Sequence, residues 1–504
     1  MTSEDLLETV IGRFGKYQVL VYLLVTVGRL PSDYQISNVV FLVPNVEYVC
    51  MDEGAYNLTN HCPCDNPVYD KSTIHSSVPT TWNLICNKRH LGSLSQSVLQ
   101  AGILTGSLAY GHISDRYGRR PAILLAFASQ LLFVSTSAIV PYLWMFIICR
   151  FLIGISCGGS LICCYVMIME LSGKTFRPYL TGLIEIAYTF SYATLPIIAY
   201  YVRDWNYLQL STSLPWLFVL LYYNFLPESP RWLITMGRKE EAVEILTYIA
   251  KKNKKPTENI KTIVEKEALQ CSKVQHNAGS YLDLFKTSKM RIYTLTIGVV
   301  WFCCSHTFFG ISQYIGRLPG NIYVNVFISG VSIVPGLFLV VVASLYCSRK
   351  VSLVLSFAAA GLTLLVLIFI PSQMTYTIIG FAIVGQMINY VSFALIYLYT
   401  SEVFPTVVRN SALGFVSMCA RIGGFIAPFV VDIKAAPWVS VLIFSAVSFL
   451  AGFMCLPLRE TKGIVLLNTI EEIEKYDNKT KPIQQHFISG RSEKIGADAC
   501  CYNY

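Results

Sequence analysis

The 504-residue chain reads as an all-α membrane protein of twelve transmembrane helices in two six-helix, pseudo-symmetric bundles. Three observations predict this. Hydrophobic residues make up 54% and charged residues only 14%, with a mean hydropathy of +0.51, where a soluble chain carries about a quarter charged. Apolar runs long enough to cross a bilayer core, ~20 residues of helix, recur through the whole sequence. The chain also repeats itself: displaced by 232 residues, Glu170, Arg177, Gly182, Pro196 and Glu228 fall on Glu402, Arg409, Gly414, Pro428 and Glu460. These matches keep one register through two spans and lie on residues uncommon in lipid, as expected of a duplicated unit.

In chain order, residues 1–16 form a polar, cytoplasmic N-terminus, and the first long apolar run acts as an uncleaved signal anchor. The N-terminal bundle covers 17–226, with spans near 17–42, 92–112, 121–140, 143–169, 179–201 and 207–226 and an extracellular loop over 43–91. Residues 227–291 form a cytoplasmic loop with 13 basic against 8 acidic residues. Short amphipathic helices are expected there over 240–250 and 260–269. The C-terminal bundle covers 292–457, with spans near 292–314, 321–346, 351–370, 375–400, 410–432 and 437–457, followed by a cytoplasmic tail over 458–504. Connections assigned to the inside hold Arg116, Arg119, Arg120, Lys174, Arg177, Arg349, Lys350 and Arg409. Those assigned to the outside hold little: Arg203 with Asp204, Arg317 and Lys434. That asymmetry puts both termini in the cytoplasm of a multi-pass plasma-membrane protein. The net charge of +9 orients helices in the lipid bilayer and implies no nucleic acid.

Of sixteen cysteines, Cys50, Cys62, Cys64 and Cys86 share the first loop and are disulfide candidates with three pairings open. Asn57-Leu58-Thr59 in the same loop is a glycosylation acceptor, and both features require the oxidising side. Asn478-Lys479-Thr480 lies in the tail assigned to the inside and is read as a decoy. The remaining cysteines fall mostly in apolar spans and suit packing.

A polar hairpin, Gly111–Pro121 (GHISDRYGRRP), separates the second and third spans. A positive-inside anchor would explain its arginines but not its ordered acid. Glu170 and Arg177 bracket the turn after span four, and Glu402 and Arg409 the turn after span ten. Glu228 and Arg231 follow span six; Glu460 and Lys462 follow span twelve. With Asp115, Arg116, Arg119 and Arg120 these form an inner-face charge cluster, a cytoplasmic gate whose closure would favour the outward-open state.

DRYGRR, ESPRW, the Glu-x6-Arg pattern in both halves and ETKG together resemble the major facilitator superfamily. Within it, YLYTSEVFPTVVRNSALG (397–414), WNLICNKRHLGSLSQSVLQAG (82–102) and RDWNYLQLSTSLPW (203–216) are similar to the organic cation/anion/carnitine transporter family. The resemblance covers nearly the whole chain and implies alternating-access transport of small organic ions, with a coupling ion or counter-substrate as a further partner. In the second-half copy of the hairpin motif, Cys347-Ser348-Arg349-Lys350 replaces the Asp-Arg pattern. Sugar porters share several inner-face motifs, but the large first loop and Arg421 argue against that branch.

Ionisable residues deep in a span are functional candidates by default. Arg29 and Asp33 lie one helical turn apart, with Pro31 between them, and can satisfy each other. Glu185 lies a third of the way along span five. Arg150 opens a run with Gly154, Gly158 and Gly159, which suits close packing and a structural role. Arg421, mid-span with no acid within one turn, needs a carboxylate from another helix or a ligand. By resemblance, members that carry simple cations place acids at the positions of Ile333, Ala394 and Arg421, while anion and carnitine branches carry arginine at the last. The family pattern has an apolar residue at Asp33 and an amide at Glu185, so both depart from it. A solute with a carboxylate is therefore favoured, with Asp33 and Glu185 free to hold an amine; zwitterions such as carnitine-like or amino-acid-derivative solutes fit best. Tyr34, Tyr188, Trp301, Phe308 and Tyr397 are expected to complete the substrate cavity, Trp301 and Phe308 on family grounds. Asn321 and Asn325 are expected to bond between helices.

No Walker-type phosphate loop occurs, and no nucleophile–base or metal-ligand arrangement; His112 and His306 stand alone. The chain is therefore read as no enzyme, without cofactor or metal. A polyspecific organic cation transporter, or a non-transporting receptor or scaffold on the same fold, is the alternative.

Overall fold

The computed structural model describes residues 6–462 and 470, apart from 13, 53–57, 174–175, 275–280, 406 and 434–436. Asn57, Asn478 and the tail beyond residue 470 lie outside these. In the first half, α1 (Leu6–Ile11) leads into α2 (Lys16–Ser37) and α3 (Val39–Leu42). A loop follows, with α4 (Val78–Thr81), then α5 (His90–Tyr117), α6 (Arg119–Ser137), α7 (Leu143–Glu170), α8 (Arg177–Tyr201) and α9 (Trp205–Ser211). A connector carries α10 (Pro230–Thr235), α11 (Lys239–Lys252) and α12 (Ile260–Val274). The second half holds α13 (Ser288–Ile315), α14 (Ile322–Tyr346), α15 (Arg349–Phe369), α16 (Thr375–Val403), α17 (Arg409–Val431) and α18 (Pro437–Met454).

Eight of these are long and apolar enough to cross a membrane among the described residues: α6, α7, α8 and α13 to α17. Helices α2 and α5 have the length but not the uniform apolarity, because their polar residues turn inward. Gln18, Ser32, Asp33 and Gln35 of α2 and Ser95, Gln96, Ser97 and Gln100 of α5 are all buried, while Leu20 and Leu23 face out. The span expected over 207–226 is not one regular helix. It consists of α9 and, after a break at Thr212–Ser213, a 3-10 segment Leu214–Asn224, with Pro215 near the second start.

Helices α5 and α7 approach closely, as the glycine run predicts. A Cβ on Gly154 would press on the Leu99 carbonyl oxygen and lie 2.9 Å from Gly102 Cα, and one on Gly158 would lie 2.8 Å from Ser107 N. Asn321 and Asn325 differ from expectation. Asn321 caps α14, its side-chain oxygen accepting from Tyr323 N at 2.9 Å, and Asn325 donates to the nearby Pro319 carbonyl; neither bridges helices.

The first loop folds as a three-stranded antiparallel sheet, with β1 (Tyr48–Cys50) between β2 (Leu58–Thr59) and β3 (Pro67–Tyr69). Disulfides join Cys50 to Cys64 and Cys62 to Cys86, one of the three pairings the spacing allows. This loop marks one end of the molecule, the loop face. Arg119 and Arg349 mark the other, the basic face. The connector packs on the first half: Asn253 after α11 accepts from Tyr17 N at 3.0 Å and donates to the Ile11 carbonyl at 3.0 Å. Past residues 275–280, Phe285 packs edge-on against Phe415 of the second half.

Each half has its own apolar core towards the basic face. A third core draws on both halves, including Tyr34, Tyr188 and Tyr192 from the first and Phe308, Tyr323 and Tyr390 from the second. The halves therefore meet in the middle and towards the loop face.

Candidate functional site

The centre of the molecule holds four ionisable side chains from three helices. Arg29 and Asp33 pair on α2, Nε to Oδ2 at 3.2 Å, with Asp33 fully buried. Their i, i+4 spacing puts both heads on one helix face, as the sequence suggests. Arg421 sits midway along α17. Its Nε is buried without a hydrogen-bond partner, and among the described residues it joins no ion pair. The ionisable side chains whose charges reach it are Glu185 on α8 and Arg29 on α2. Glu185 is half-buried and likewise joins no ion pair among the described residues. Two self-neutralised charges thus flank two unpaired ones of opposite sign, one from each half.

Arg150 stands apart. Among the described residues its guanidinium donates to amide oxygens, Gln35 Oε1 at 3.2 Å, Asn38 Oδ1 at 3.4 Å and Gln96 Oε1 at 2.8 Å, tying α7 to α2 with its C-cap and to α5 inside the first half.

Aromatic side chains run from the first half into the second. Tyr188 of α8 lies 6.1 Å from Phe308 of α13, which reaches Phe393 of α16 at 5.9 Å; Trp301 packs on Phe393 at 5.3 Å and Tyr397 at 5.8 Å. Trp301 Nε1 donates to Thr400 Oγ1 at 2.9 Å, which fixes the ring. Four of the five expected rings are therefore brought together. The fifth, Tyr34, packs edge-on against Trp216 and shares a 2.8 Å hydrogen bond with Thr194, within the first half. Tyr390 and Phe393 join this run beyond the rings expected from sequence. Their spacing of seven and four residues ahead of Tyr397 places all on one side of α16 and would have found them.

At the basic face the charge clusters close within each half. Arg119 pairs with Glu170 at 2.8 Å and Asp115 at 2.7 Å, while the backbone N–H groups of Arg119 and Arg120 donate to Glu228 at 2.9 and 3.3 Å. Arg231 donates to the Glu170 carbonyl at 3.1 Å. Arg116 is exposed and lies over the Tyr117 ring. In the second half Arg349 pairs with Glu402 at 3.3 Å, and the N–H groups of Arg349 and Lys350 donate to Glu460 at 2.8 and 3.1 Å. Arg409 donates to the Phe404 carbonyl at 3.4 Å, and the Arg177 side chain lies outside the described residues. Burial pushes the Glu228 carboxyl above its ordinary value despite three backbone donors. Burial also pushes Glu460 up, but donors from Lys462, Arg349 and Lys350 outweigh it and hold that carboxyl below the ordinary value.

The bonds between halves lie further toward the loop face. Arg89, before α5, pairs with Asp432 after α17 at 2.6 Å; Ser93 Oγ donates to the same carboxylate at 2.8 Å. Ser97 donates to the Phe425 carbonyl at 2.6 Å, and Tyr192 shares hydrogen bonds with Ser312 at 3.0 Å and Ser329 at 3.2 Å. Close backbone approach reinforces this, since a Cβ on Gly330 would lie 2.8 Å from Ala193 Cα. The loop face is sealed across the halves.

Two helical bundles meeting around central charges, sealed at one end, form an alternating-access architecture. The sugar (and other) transporter family model matches residues 55–475. The chain belongs to that family, within the major facilitator superfamily. The "Organic cation transporter protein" of Drosophila melanogaster is 30% identical to it over 97% of this chain and 97% of its own length. "Solute carrier family 22 member 1" of Bos taurus is 34% identical over 86% of this chain and 77% of its own. Among solved structures, the xylose transporter XylE from E. coli in its inward-open conformation matches with a TM-score of 0.66 at 19% identity, covering 91% of this chain and 99% of that one. The family member described here is a multi-pass membrane transporter of the organic cation/anion type, acting on small organic solutes by alternating access, and not an enzyme.

Proposed function

We propose that the solute is a zwitterion, its carboxylate held by Arg421 and its ammonium by Glu185. The observation that carries this is the pair itself: one guanidinium and one carboxylate, each without an ion-pair partner among the described residues, contributed by opposite halves near the centre. A buried guanidinium without an anion is costly, and a solute carboxylate supplies one with charge-assisted hydrogen bonds. Because Arg29 and Asp33 neutralise each other, they set a polar wall rather than a net charge. The rings of Tyr188, Phe308, Trp301 and Tyr397 offer apolar surface and π faces to the solute's cationic end, an attraction of ~0.5–2 kcal/mol. Carnitine-like and amino-acid-derivative solutes have this chemistry.

The mechanism follows from the two sealed or unsealed ends. The basic-face clusters brace each half as a rigid unit, so rocking parts the loop-face contacts while the central charges stay with their own halves. A zwitterion touching both halves is released when Arg421 and Glu185 move apart. The disulfide-bonded loop and the basic-face arginines support a plasma-membrane orientation with the loop outside and both termini cytoplasmic.

A second reading, an organic cation balanced by Glu185, is favoured by the aromatic run and by the names of the organic cation transporters this chain resembles. Uptake into proteoliposomes separates the two. On the zwitterion reading, carnitine competes better than its methyl ester, and Arg421→Ala lowers carnitine uptake on the order of 10–100-fold, the loss expected for a charged hydrogen-bond pair. Glu185→Gln lowers carnitine uptake but spares a plain carboxylate such as benzoate. Unchanged carnitine uptake in Arg421→Ala, with cation uptake lost in Glu185→Gln, selects the second reading.

A further inference from the structure

Asp432 is oversubscribed. Its carboxylate takes Arg89 Nε at 2.6 Å, Ser93 Oγ at 2.8 Å and Arg317 Nη1 at 3.0 Å. Arg317 also donates to the Val431 carbonyl at 2.9 Å. Two guanidiniums share one carboxylate, so this corner of the loop face carries a surplus positive charge. The three donors do not belong to one body. Arg89 and Ser93 lie one turn apart at the start of α5, in the first half. Arg317 follows α13 and Asp432 follows α17, both in the second half. When the loop face opens, Arg317 keeps Asp432 and the Val431 carbonyl. Arg89 and Ser93 leave together without an anion. A small cleft lined by Val40, Val43, Gly92 and Gln313 also includes Ser93 and Arg317, two of the carboxylate's donors.

We propose that Arg89 and Ser93 form an entry site for a carboxylate, which Asp432 occupies while the mouth is shut and a solute carboxylate takes when it opens. One carboxylate replacing another on the same guanidinium and hydroxyl keeps the charge-assisted bonds, so the exchange costs little. A solute that binds only the parted state shifts the population towards it, and a cation has no such hold on Arg89. Entry is thereby selective for carboxylates before the solute reaches Arg421. The inference rests on the carboxylate-bearing solute proposed above, whereas the Asp432 latch itself does not.

The full-length protein in nanodiscs, labelled through noncanonical amino acids at exposed Lys88 and Ile433, reports the mouth by the distance between labels. Asp432→Asn lengthens that distance without any solute; an unchanged distance overturns the latch. In the unaltered mouth, sodium benzoate at fixed ionic strength lengthens it and choline chloride does not. Arg89→Gln removes the benzoate response and raises the KM for benzoate uptake on the order of tenfold, leaving kcat within roughly twofold. A benzoate response that survives Arg89→Gln overturns the entry site and points inward to Arg421. A latch that opens in Asp432→Asn but ignores benzoate overturns the entry site as well. Benzoate uptake through the otherwise unaltered protein then shows whether the carboxylate reading of the solute falls with it.

Discussion

At the basic face the α5–α6 hairpin turns through Gly118 and the α14–α15 hairpin through Ser348, and the two solve one problem with different residues. Each places a glutamate, Glu228 or Glu460, on the free N–H groups that open the second helix. Four such donors start every helix, and an anion there also meets the positive end of the helix dipole. Each lets the first arginine of that helix pair with the acid ending another span, Glu170 or Glu402. The differences lie around this pair. Gly118 has φ +109°, and a Cβ on it would collide with Glu228; Ser348 is extended at φ −72°, a conformation any residue adopts. Arg119 finds a further acid in Asp115, while Arg349 turns to the Ser344 carbonyl and Glu402 gains Thr461 Oγ1 at 2.6 Å. The shared part is the capped helix with its arginine–glutamate pair, and the Asp-Arg pattern of the hairpin is one dressing of it.

The sharpest way to break this comparison is at the turn itself. Gly118→Ala forces an L side chain into a conformation open almost only to glycine, at ~1–3 kcal/mol, and displaces Glu228 besides. Ser348→Ala removes only a half-buried hydroxyl from an extended residue and keeps the backbone as it is, at most ~1 kcal/mol. Thermal unfolding in detergent should therefore show a larger drop for Gly118→Ala than for Ser348→Ala. Equal drops would mean that the two turns are interchangeable after all.

How far these hairpins can be read from sequence depends on the kind of information each feature needs. Apolar length and the 232-residue repeat follow from composition and register, so the paired bundles and most spans are legible. The run over 207–226 is as apolar as the rest, and only Pro215 hints that it breaks. The erosion at Cys347–Lys350 reads as a lost motif because a motif is a string, whereas the Glu460 cap needs only backbone N–H groups, which every sequence has. At the centre, Arg421 and Glu185 are conspicuous because charge in lipid is rare. Asp432 is not conspicuous at a span end, and its three donors come from distant segments. Four loop cysteines leave three pairings, and only the folded loop shows Cys50 joined to Cys64 and Cys62 to Cys86.

The two caps should also respond oppositely to acid. Glu228 is held above its ordinary 4.5, so its contribution to stability is present at low pH and is lost as pH rises through its raised value. Glu460 is held below 4.5, so its contribution is present above 4.5 and is lost as pH falls through its lowered value. At pH 7 the ionised Glu228 is the strained one. Glu460→Gln should then lower the unfolding midpoint at pH 7, with the penalty fading as pH falls below 4.5 and through the lowered value of the native carboxyl. Glu228→Gln should cost less at pH 7 than Glu460→Gln. Midpoints of both variants between pH 7 and 4 test this, and a reversed order at pH 7 would count against the assignment of burial as dominant at Glu228.

The smallest effect is expected where the motif looks richest. Asp115 is 75% exposed, and its 2.7 Å bond to Arg119 is one of several that guanidinium makes. An exposed i, i+4 pair contributes ~0.3–0.5 kcal/mol, and water and salt screen it further. Arg119 would still hold Glu170, which is far less exposed, and Ser114 Oγ at 3.2 Å. The second half already shows the outcome, for Arg349 keeps Glu402 with a carbonyl in place of the acid. Asp115→Ala should therefore shift the unfolding midpoint less than any variant above, and adding salt should shrink the difference. A drop as large as that of Gly118→Ala would show that the acid organises the first hairpin in a way the second hairpin does without, and the two clusters would then have to be treated as separate devices.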